Sequence, residues 1–164
     1  MGERENPIAA ALRGENPMVM TRMRTGFAVI GDTQHLPGYS LLLSDRLDVD
    51  HLSDLPWPAR RDFLLDLSLV GEAVFAVTRK RGARRINYEV LGNSWPHLHG
   101  HVHSRYEWEP RDKLGGPVWR YPREQRDAPE HAYDEARHGE LRAAITAELK
   151  RLVRAAYATP DVPT

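Results

Sequence analysis

The chain has 164 residues, with 23 Lys plus Arg against 23 Asp plus Glu, and a chain of this length is most simply a single domain with its own core. Its balanced charge gives no reason to expect nucleic acid or an acidic membrane surface as a partner. The chain has no Cys, no apolar run after its charged N-terminus and no stretch approaching ~20 apolar residues. We therefore expect a cytoplasmic protein without disulfides, signal peptide or membrane span.

The first elements predicted along the chain are a short helix and two strands. Asn6 or Glu5 before Pro7 predicts a helix start, because proline suits the first helical turn, and Gly14 predicts the end of that helix. Two apolar runs, over 27–30 and 39–43, predict antiparallel strands joined by the segment between them.

The second half of the chain alternates between helical and strand patterns. A helix is predicted over 59–79, where apolar residues recur at helical spacing and form a core stripe. Alternating apolar residues predict a strand over 84–91, and a strand with histidines at alternate positions follows it. A last amphipathic helix is predicted over about 129–158. Strands and two long helices joined by short links indicate an α+β fold with an antiparallel sheet.

Four of the eight histidines occupy alternate positions of one segment, which reads PHLHGHVHSR over 96–105. Side chains of a β-strand alternate between its two faces. A strand here would place His97, His99, His101 and His103 on one face. Because neighbouring like charges lower one another's pKa, we expect at least one imidazole to stay neutral and nucleophilic.

Three interpretations of this row compete. The first is a polar strand face without chemistry, which is disfavoured because polar residues rarely gather so densely without a role. The second is a metal site, which suits imidazole, although side chains of one strand converge poorly and the chain has neither Cys nor a His-Glu-x-x-His motif. The third is nucleophilic catalysis at phosphorus, with one histidine attacking and its neighbours orienting it.

The flanking sequence resembles that of a known family. Residues 91–102 read LGNSWPHLHGHV and precede Arg105, which is similar to the signature of the histidine triad (HIT) family. Upstream, residues 26–43 resemble the family's strand, nucleoside-site turn and second strand, which Pro37 and Gly38 open. The match spans about residues 5–122 and is closest to the bacterial branch that resembles diadenosine-tetraphosphate hydrolases.

The resemblance implies one HIT-like domain over 1–164, with a core of about 5–122 and a C-terminal helix of about 129–158. Its fold class is α+β, with an antiparallel sheet of about five strands, a long helix packed on the sheet, and N- and C-terminal helices. The family forms two-fold dimers through a helix and an edge strand, so a homodimer is implied. The implied partner is a nucleotide, with no membrane and no nucleic acid.

The activity implied by the resemblance is hydrolysis or transfer at the α-phosphate of a nucleoside, in a dinucleoside polyphosphate or a nucleoside phosphoramidate. His99, the middle histidine, is expected to attack phosphorus and form a nucleotidyl-histidine intermediate, which water cleaves. His101 is expected to bind phosphate oxygens or protonate the leaving group, and His97 to orient His99 and fix its tautomer. No metal or cofactor is required, although a polyphosphate substrate can travel with Mg²⁺.

Further residues are expected to bind the nucleotide by the same resemblance. Asp32 is expected to grip the ribose hydroxyls, and Asn93 and Ser94 to lie at the phosphate and the leaving group, with Asn87 a weaker candidate for phosphate or ribose. Turn chemistry explains the residue types at 32, 93 and 94 equally well. The apolar wall of the base pocket is expected from Phe27, Ile30 and Leu36.

Two positions depart from the family pattern. Gly100 replaces an apolar residue, and glycine in a strand lets another backbone or a ligand come close. His103, with Ser104, replaces an apolar residue and a proline before Arg105. His103 is predicted to touch solvent at the strand end, and Arg105 to support that end or attract phosphate.

Two alternative functions stay open at this point. One is a non-catalytic nucleotide-binding or interaction protein that keeps the pocket without turnover. The other is a metal-binding histidine cluster. A basic run over 79–85 is predicted to be a solvated turn, since it lacks the interleaved aromatic residues of nucleic-acid sites.

Overall fold

The computed structural model describes residues 6–93 and 95–158, and its central element is a five-stranded sheet in the order β1-β2-β3-β5-β4. Every neighbouring pair is antiparallel. The strands are β1 (Val19–Arg22), β2 (Gly26–Ile30), β3 (Ser40–Ser44), β4 (Ala83–Glu89) and β5 (His99–Tyr106). The sheet and its helices confirm the predicted α+β fold class.

In the part of the chain that the structure describes, five α-helices accompany the sheet, and two of them are long. They are α1 (Pro7–Leu12), α2 (Trp57–Thr78), α3 (Arg111–Leu114), α4 (Arg123–Arg126) and α5 (Glu135–Ala158). Short 3-10 turns lie at 52–54, 79–81, 118–120 and 129–131. Within the described ranges, no helix combines the length and the apolar composition needed to cross a bilayer.

The predicted helix ends are accurate at the N-terminus and wrong near the C-terminus. Asn6 caps α1 as predicted, because its side chain accepts hydrogen bonds from two backbone N–H groups of the first turn. The last helix begins at Glu135 rather than near 129. Residues 132–134 leave the helical path because Ala132 bridges to Thr33 and the Asp134 carboxylate accepts the Arg137 backbone N–H.

The sequence patterns also missed or misplaced some elements. Strand β1 and the short helices α3 and α4 lie where no element was predicted, because four-residue segments carry too little periodicity. Strand β5 begins at His99, so His97 lies in the turn before the strand rather than within it.

The two faces of the sheet have different coverings. On β3, Leu43 is paired with His99 and Leu41 with His101, and residues directly opposite in a sheet share a face. The alternate residues of β2, β3 and β5 face the other way and form the main core with α2 and α5. The histidines therefore line the face that the two long helices leave free.

Gly100 serves the packing of helix α2 rather than a ligand. A Cβ at this position would lie 2.6 Å from Cδ1 of Leu67, which is far inside van der Waals contact. Leu67 belongs to the core on the helix-covered face, opposite the histidines. The sequence led us to expect a backbone or a ligand close to Gly100, and the group that comes close is instead the Leu67 side chain of α2.

A fully buried carboxylate joins both long helices to the sheet. Asp66 of α2 accepts hydrogen bonds from the backbone N–H and the hydroxyl of Thr25, at 2.8 and 2.7 Å, and from the hydroxyl of Tyr157 on α5. These donors satisfy an acceptor that would be costly to bury alone.

Tyr157→Phe should therefore lower the free energy of unfolding by about 1.5 kcal/mol, because one hydrogen bond to a buried charged acceptor is lost without a change of shape. Urea denaturation of both proteins measures the difference. Tyr133→Phe is the matched control, since the Tyr133 hydroxyl donates to the exposed carboxylate of Glu135. An equal effect of the two substitutions would contradict the role given to Asp66.

Candidate active site

The ring of His99 is held in one tautomer by the backbone before the strand. Its Nδ1 lies 2.6 Å from the carbonyl oxygen of His97. Because a carbonyl oxygen can only accept, Nδ1 carries the proton and donates it. In the neutral ring the lone pair is then on Nε2, which makes no hydrogen bond within the described residues. The arrangement provides the free nitrogen that a nucleophile requires.

His97 is fixed by the cap of the first helix. Oδ1 of Asn6 accepts the backbone N–H groups of Ile8 and Ala9 at 2.9 and 3.3 Å, which identifies the other amide atom as Nδ2. This Nδ2 lies 3.1 Å from Nε2 of His97. An amide nitrogen can only donate, so Nε2 accepts. One side chain thus caps α1 and orients His97.

His101 contacts a tyrosine that no sequence pattern identified. Tyr39 is the residue directly before β3. Its hydroxyl lies 2.8 Å from Nδ1 of His101. Trp119 lies edge-on to the His101 ring with centroids 5.5 Å apart. These neighbours bury most of the imidazole.

His103 is buried and does not touch solvent at the strand end, contrary to the prediction. Only 5% of the residue is exposed, and its ring stacks on Tyr39 with centroids 4.3 Å apart and planes 6° apart. Its Nδ1 lies 3.2 Å from Oε2 of Glu89 on β4. Alternation along β5 keeps the side chain on the histidine face, and Trp119 covers it edge-on.

Burial makes the histidines of β5 weak bases. It is the main cause that lowers the pKa of His99, and the hydrogen bond to His97 only partly offsets it. For His101, burial together with the charges of His99 and His103 lowers the pKa to about 3. Burial also lowers the pKa of His103, against the opposing effect of Glu89. These three rings of β5 are therefore neutral at pH 7, as nucleophilic nitrogen requires.

An open cleft lies at the His97 end of the row. Its volume is about 450 Å³, within the range of small-molecule sites. The lining residues are Asp50, His51, Leu52, Ser53, Arg60, Val90, Leu91, Gly92, His97 and His99. Trp95 adds an aromatic ring, with its centroid 5.0 Å from that of His97 and 5.0 Å from that of His99.

The polar residues predicted to bind the nucleotide are scattered around the row. Asp32 is exposed just after β2, and its backbone carbonyl accepts the N–H of Tyr133 at 2.8 Å. Asn93 is exposed in the turn between β4 and β5. Asn87 lies on the histidine face, but its Oδ1 accepts a hydrogen bond from Arg105 at 3.1 Å. Ser94 lies outside the described residues.

The three residues predicted to form the base pocket lie in three different apolar clusters. Phe27 shares the histidine face and packs with α1. Ile30 points to the opposite face, into the core beneath α2 and α5. Leu36 packs with Tyr106 and Tyr121 beyond the end of the sheet. The structure therefore does not bring Ile30 and Leu36 to the histidine row, because β2 alternates and then ends before residue 36.

Arg105 supports the strand end, which is one of its two predicted roles. Its guanidinium donates to Glu109 at 2.8 to 3.1 Å, to Asn87 and to the backbone carbonyls of Lys113 and Gly116. All three of its nitrogens are engaged in this way. A guanidinium whose nitrogens all donate to the protein is poorly placed to take a phosphate as well.

Asn6, Tyr39, Glu89 and Trp119 contact the row and were not predicted as site residues. Asn6 and His97 are 91 positions apart, and Tyr39 and His101 are 62 apart. Contacts at such separations leave no periodic signal in one sequence. The only available hint was the alternation of β4, which places Glu89 on the face of its partner His101.

Within residues 6–93 and 95–158, no group of three or more His, Cys, Asp or Glu side chains is arranged to hold a metal ion. The imidazoles of one strand stand side by side, and two of their Nδ1 atoms face protein partners, the His97 carbonyl and the Tyr39 hydroxyl.

The fold is that of solved histidine triad proteins. A histidine triad protein from Marinobacter aquaeolei VT8 is 22% identical, with a TM-score of 0.67 over 82% of this chain and 89% of that chain. A histidine triad (HIT) protein from Sinorhizobium meliloti 1021 is also 22% identical, with a TM-score of 0.67 over 80% and 88% of the two chains. A zinc-bound histidine triad family protein from Mycobacterium smegmatis is 20% identical, with a TM-score of 0.60 over 92% and 99%.

At these identities the likeness shows a shared fold. No family model and no curated protein matches the chain.

The lowered pKa values predict that acid destabilises the protein through the histidine row. The unfolded chain takes up protons on histidine below about pH 6.5, whereas folded His101 stays neutral down to about pH 3. Its contribution to stability is therefore complete above pH 6.5 and is lost as the pH falls. The expected slope for His101 is up to about 1.4 kcal/mol per pH unit.

Urea denaturation between pH 7.5 and 5 measures this slope. His101→Gln should flatten it, whereas His138→Gln, on α5 and away from the row, should leave it as in the native chain. Equal slopes for the native chain and His101→Gln would show that His101 is not held neutral.

Proposed function

We propose that this chain is a histidine triad nucleotide hydrolase in which His99 forms a covalent nucleotidyl intermediate. One observation carries the proposal: Nδ1 of His99 donates to the His97 carbonyl, which leaves a lone pair on Nε2 of a neutral ring. The likeness of the fold to histidine triad proteins supports it. The role of His97 is then carried by its backbone oxygen, and Asn6 keeps that residue in place.

The proposed reaction has two displacements at the α-phosphorus. In the first, Nε2 of His99 bonds to phosphorus and the bond to the leaving group breaks, while the neutral His101 donates a hydrogen bond to the negative charge that develops on the departing atom. In the second, water attacks phosphorus and the P–N bond breaks, with its electron pair returning to Nε2. The proton released by water is taken up by the departed group, so both histidines recover their starting state. Each step is easier than the single displacement it replaces.

The substrate we propose is a nucleoside 5′-phosphate joined to a leaving group, either a dinucleoside polyphosphate or a nucleoside phosphoramidate. The cleft of about 450 Å³ beside His97 and His99 can take part of such a molecule. Asp32 for the ribose, and Asn93 and Ser94 for the phosphate side, stay proposals from the family resemblance. We propose no resident metal, although Mg²⁺ can accompany a polyphosphate substrate.

His99→Ala should lower the release of AMP by about 10³-fold or more, because loss of the nucleophile removes the covalent route. Diadenosine tetraphosphate and adenosine 5′-phosphoramidate are the test substrates, each with and without a chelator, and products are separated by chromatography. His138→Ala is the control and should keep native activity.

Near-native activity of His99→Ala would exclude His99 as the nucleophile. Loss of activity with chelator in the native chain would point to a metal-dependent reaction instead. AMP binding without turnover of either substrate would favour the non-catalytic nucleotide-binding alternative.

We also propose that two copies of the chain associate through the exposed edge of β4. This strand lies at one end of the sheet order, and a free edge presents unpaired backbone donors and acceptors. Tyr88 on the strand and Val90 just after it are 47% and 40% exposed. Light scattering should give the mass of two chains, and a single-chain mass at micromolar concentration would contradict the dimer.

A further inference from the structure

Tyr39, the residue before β3, is held in one orientation by a neighbour on each side. Its ring is buried and stacks flat on His103 of β5, with centroids 4.3 Å apart. On the other side, directly after β2, a Cβ at Gly31 would lie 2.1 Å from Cδ1 of the tyrosine ring. Only glycine at position 31 leaves room for the ring where it lies. These two residues thus fix the direction of the tyrosine hydroxyl.

The hydroxyl of Tyr39 points at Nδ1 of His101 with good hydrogen-bond geometry. The two atoms are 2.8 Å apart, and the planes of the two rings are nearly parallel, at 9°. The hydroxyl has no other partner within the described residues.

The direction of this hydrogen bond follows from the burial of Tyr39. If Nδ1 of His101 donated, the phenol proton would be left buried without an acceptor, which is costly. If Tyr39 donates, the phenol proton is satisfied, and the proton of His101 lies on Nε2. Burial and the nearby carboxylates of Asp32 and Glu89 raise the pKa of Tyr39, so the phenol keeps its proton.

His103 supports Tyr39 from beneath and has its own carboxylate neighbour. Its Nδ1 lies 3.2 Å from Glu89, and Trp119 closes over it edge-on. The other charges that act on His103 are those of Arg105 and Arg126, which oppose its protonation. A neutral ring stacked on Tyr39 adds no positive charge next to His101.

We infer that Tyr39, held by Gly31 and His103, is a positioning residue that keeps His101 as the Nε2–H tautomer facing the substrate. This inference rests on the proposed function, and it places the Nε2–H group of His101 on the leaving-group side. In the first displacement, this N–H group donates a hydrogen bond to the departing atom, and Tyr39 holds the ring through Nδ1. In the second displacement, the proton released by the attacking water goes to the departed group, so His101 keeps its tautomer throughout. His103 supports the ring of Tyr39 and does not touch substrate.

The test compares two substrates whose leaving groups differ in how much they gain from a hydrogen bond. Adenosine 5′-(4-nitrophenyl phosphate) has a leaving group that departs readily as an anion, whereas the unsubstituted phenyl ester has a poorer one that a hydrogen-bond donor stabilises more. Tyr39→Phe should lower kcat for the phenyl ester by about 10- to 100-fold, because the wrong tautomer of His101 becomes populated. It should lower kcat for the nitrophenyl ester by less than about threefold.

Three further variants separate positioning from damage to the fold. Gly31→Ala should reproduce the selective defect of Tyr39→Phe, because it displaces the same ring, and combining the two should add little. His103→Phe keeps a flat ring beneath Tyr39 and should retain most of the phenyl-ester activity. Tyr133→Phe is the matched control. It removes a hydroxyl that contacts the exposed Glu135, and it should behave as the native chain.

Equal losses of both esters in Tyr39→Phe, or no loss of either, would overturn the inference while leaving the proposed hydrolase intact. Hydrolysis of neither ester by the native chain would instead overturn the proposed function. In that case, nitrogen NMR shifts of His101 still decide the positioning claim. They should report a proton on Nε2 in the native chain and a mixture of tautomers in Tyr39→Phe, and a proton on Nδ1 in the native chain would contradict it.

Discussion

The hydrogen bond from His99 to the carbonyl oxygen of His97 is the interaction on which the candidate site depends. It exists because β5 begins at His99, so the His97 carbonyl is outside the ladder and free to accept from a side chain. The residue that keeps His97 in this position is Asn6, the cap of the first helix. The cap of the first helix and His97, which lies 91 residues later in the turn before β5, therefore cooperate to define one lone pair.

The cost of burying imidazoles explains why the row has the partners that it has. A buried polar ring must find hydrogen-bond partners or lose stability, and three different devices supply them: a backbone carbonyl for His99, an amide for His97 and a phenol for His101. The same burial lowers the pKa of His99, His101 and His103 and keeps these rings neutral. Stability and reactivity at these positions thus follow from one property, the burial of the rings.

The sequence predicted the fold better than it predicted the contacts of the site. Alternation in β5 and the apolar stripe of α2 reflect local periodicity, so the face of the histidines and the long central helix are recovered within a few residues. Ile30 was assigned to the wrong face because a family resemblance gives the segment of a pocket but not the direction of each side chain. Gly100 was expected to let another backbone or a ligand come close, because nothing in one sequence shows that Leu67 packs against it.

The roles of Tyr39 and His103 could not be predicted from the sequence, for a different reason. Neither residue has an unusual local pattern. Their roles depend on the register that sets Gly31, directly after β2, and Tyr39, directly before β3, beside His103 of β5. Register depends on the pairing of strands distant in sequence, which single-sequence patterns do not contain. The sequence therefore showed that His103 departs from the family pattern, but it did not show what this residue does.

The stereochemical course at phosphorus tests the central claim most directly. A substrate with a chiral α-phosphorothioate, hydrolysed in isotopically labelled water, yields a nucleoside phosphorothioate whose configuration can be read by phosphorus NMR. Two in-line displacements, the first by His99 and the second by water, invert the centre twice, so the account predicts overall retention. Inversion would mean that water attacks phosphorus directly, and the covalent role of His99 would be wrong.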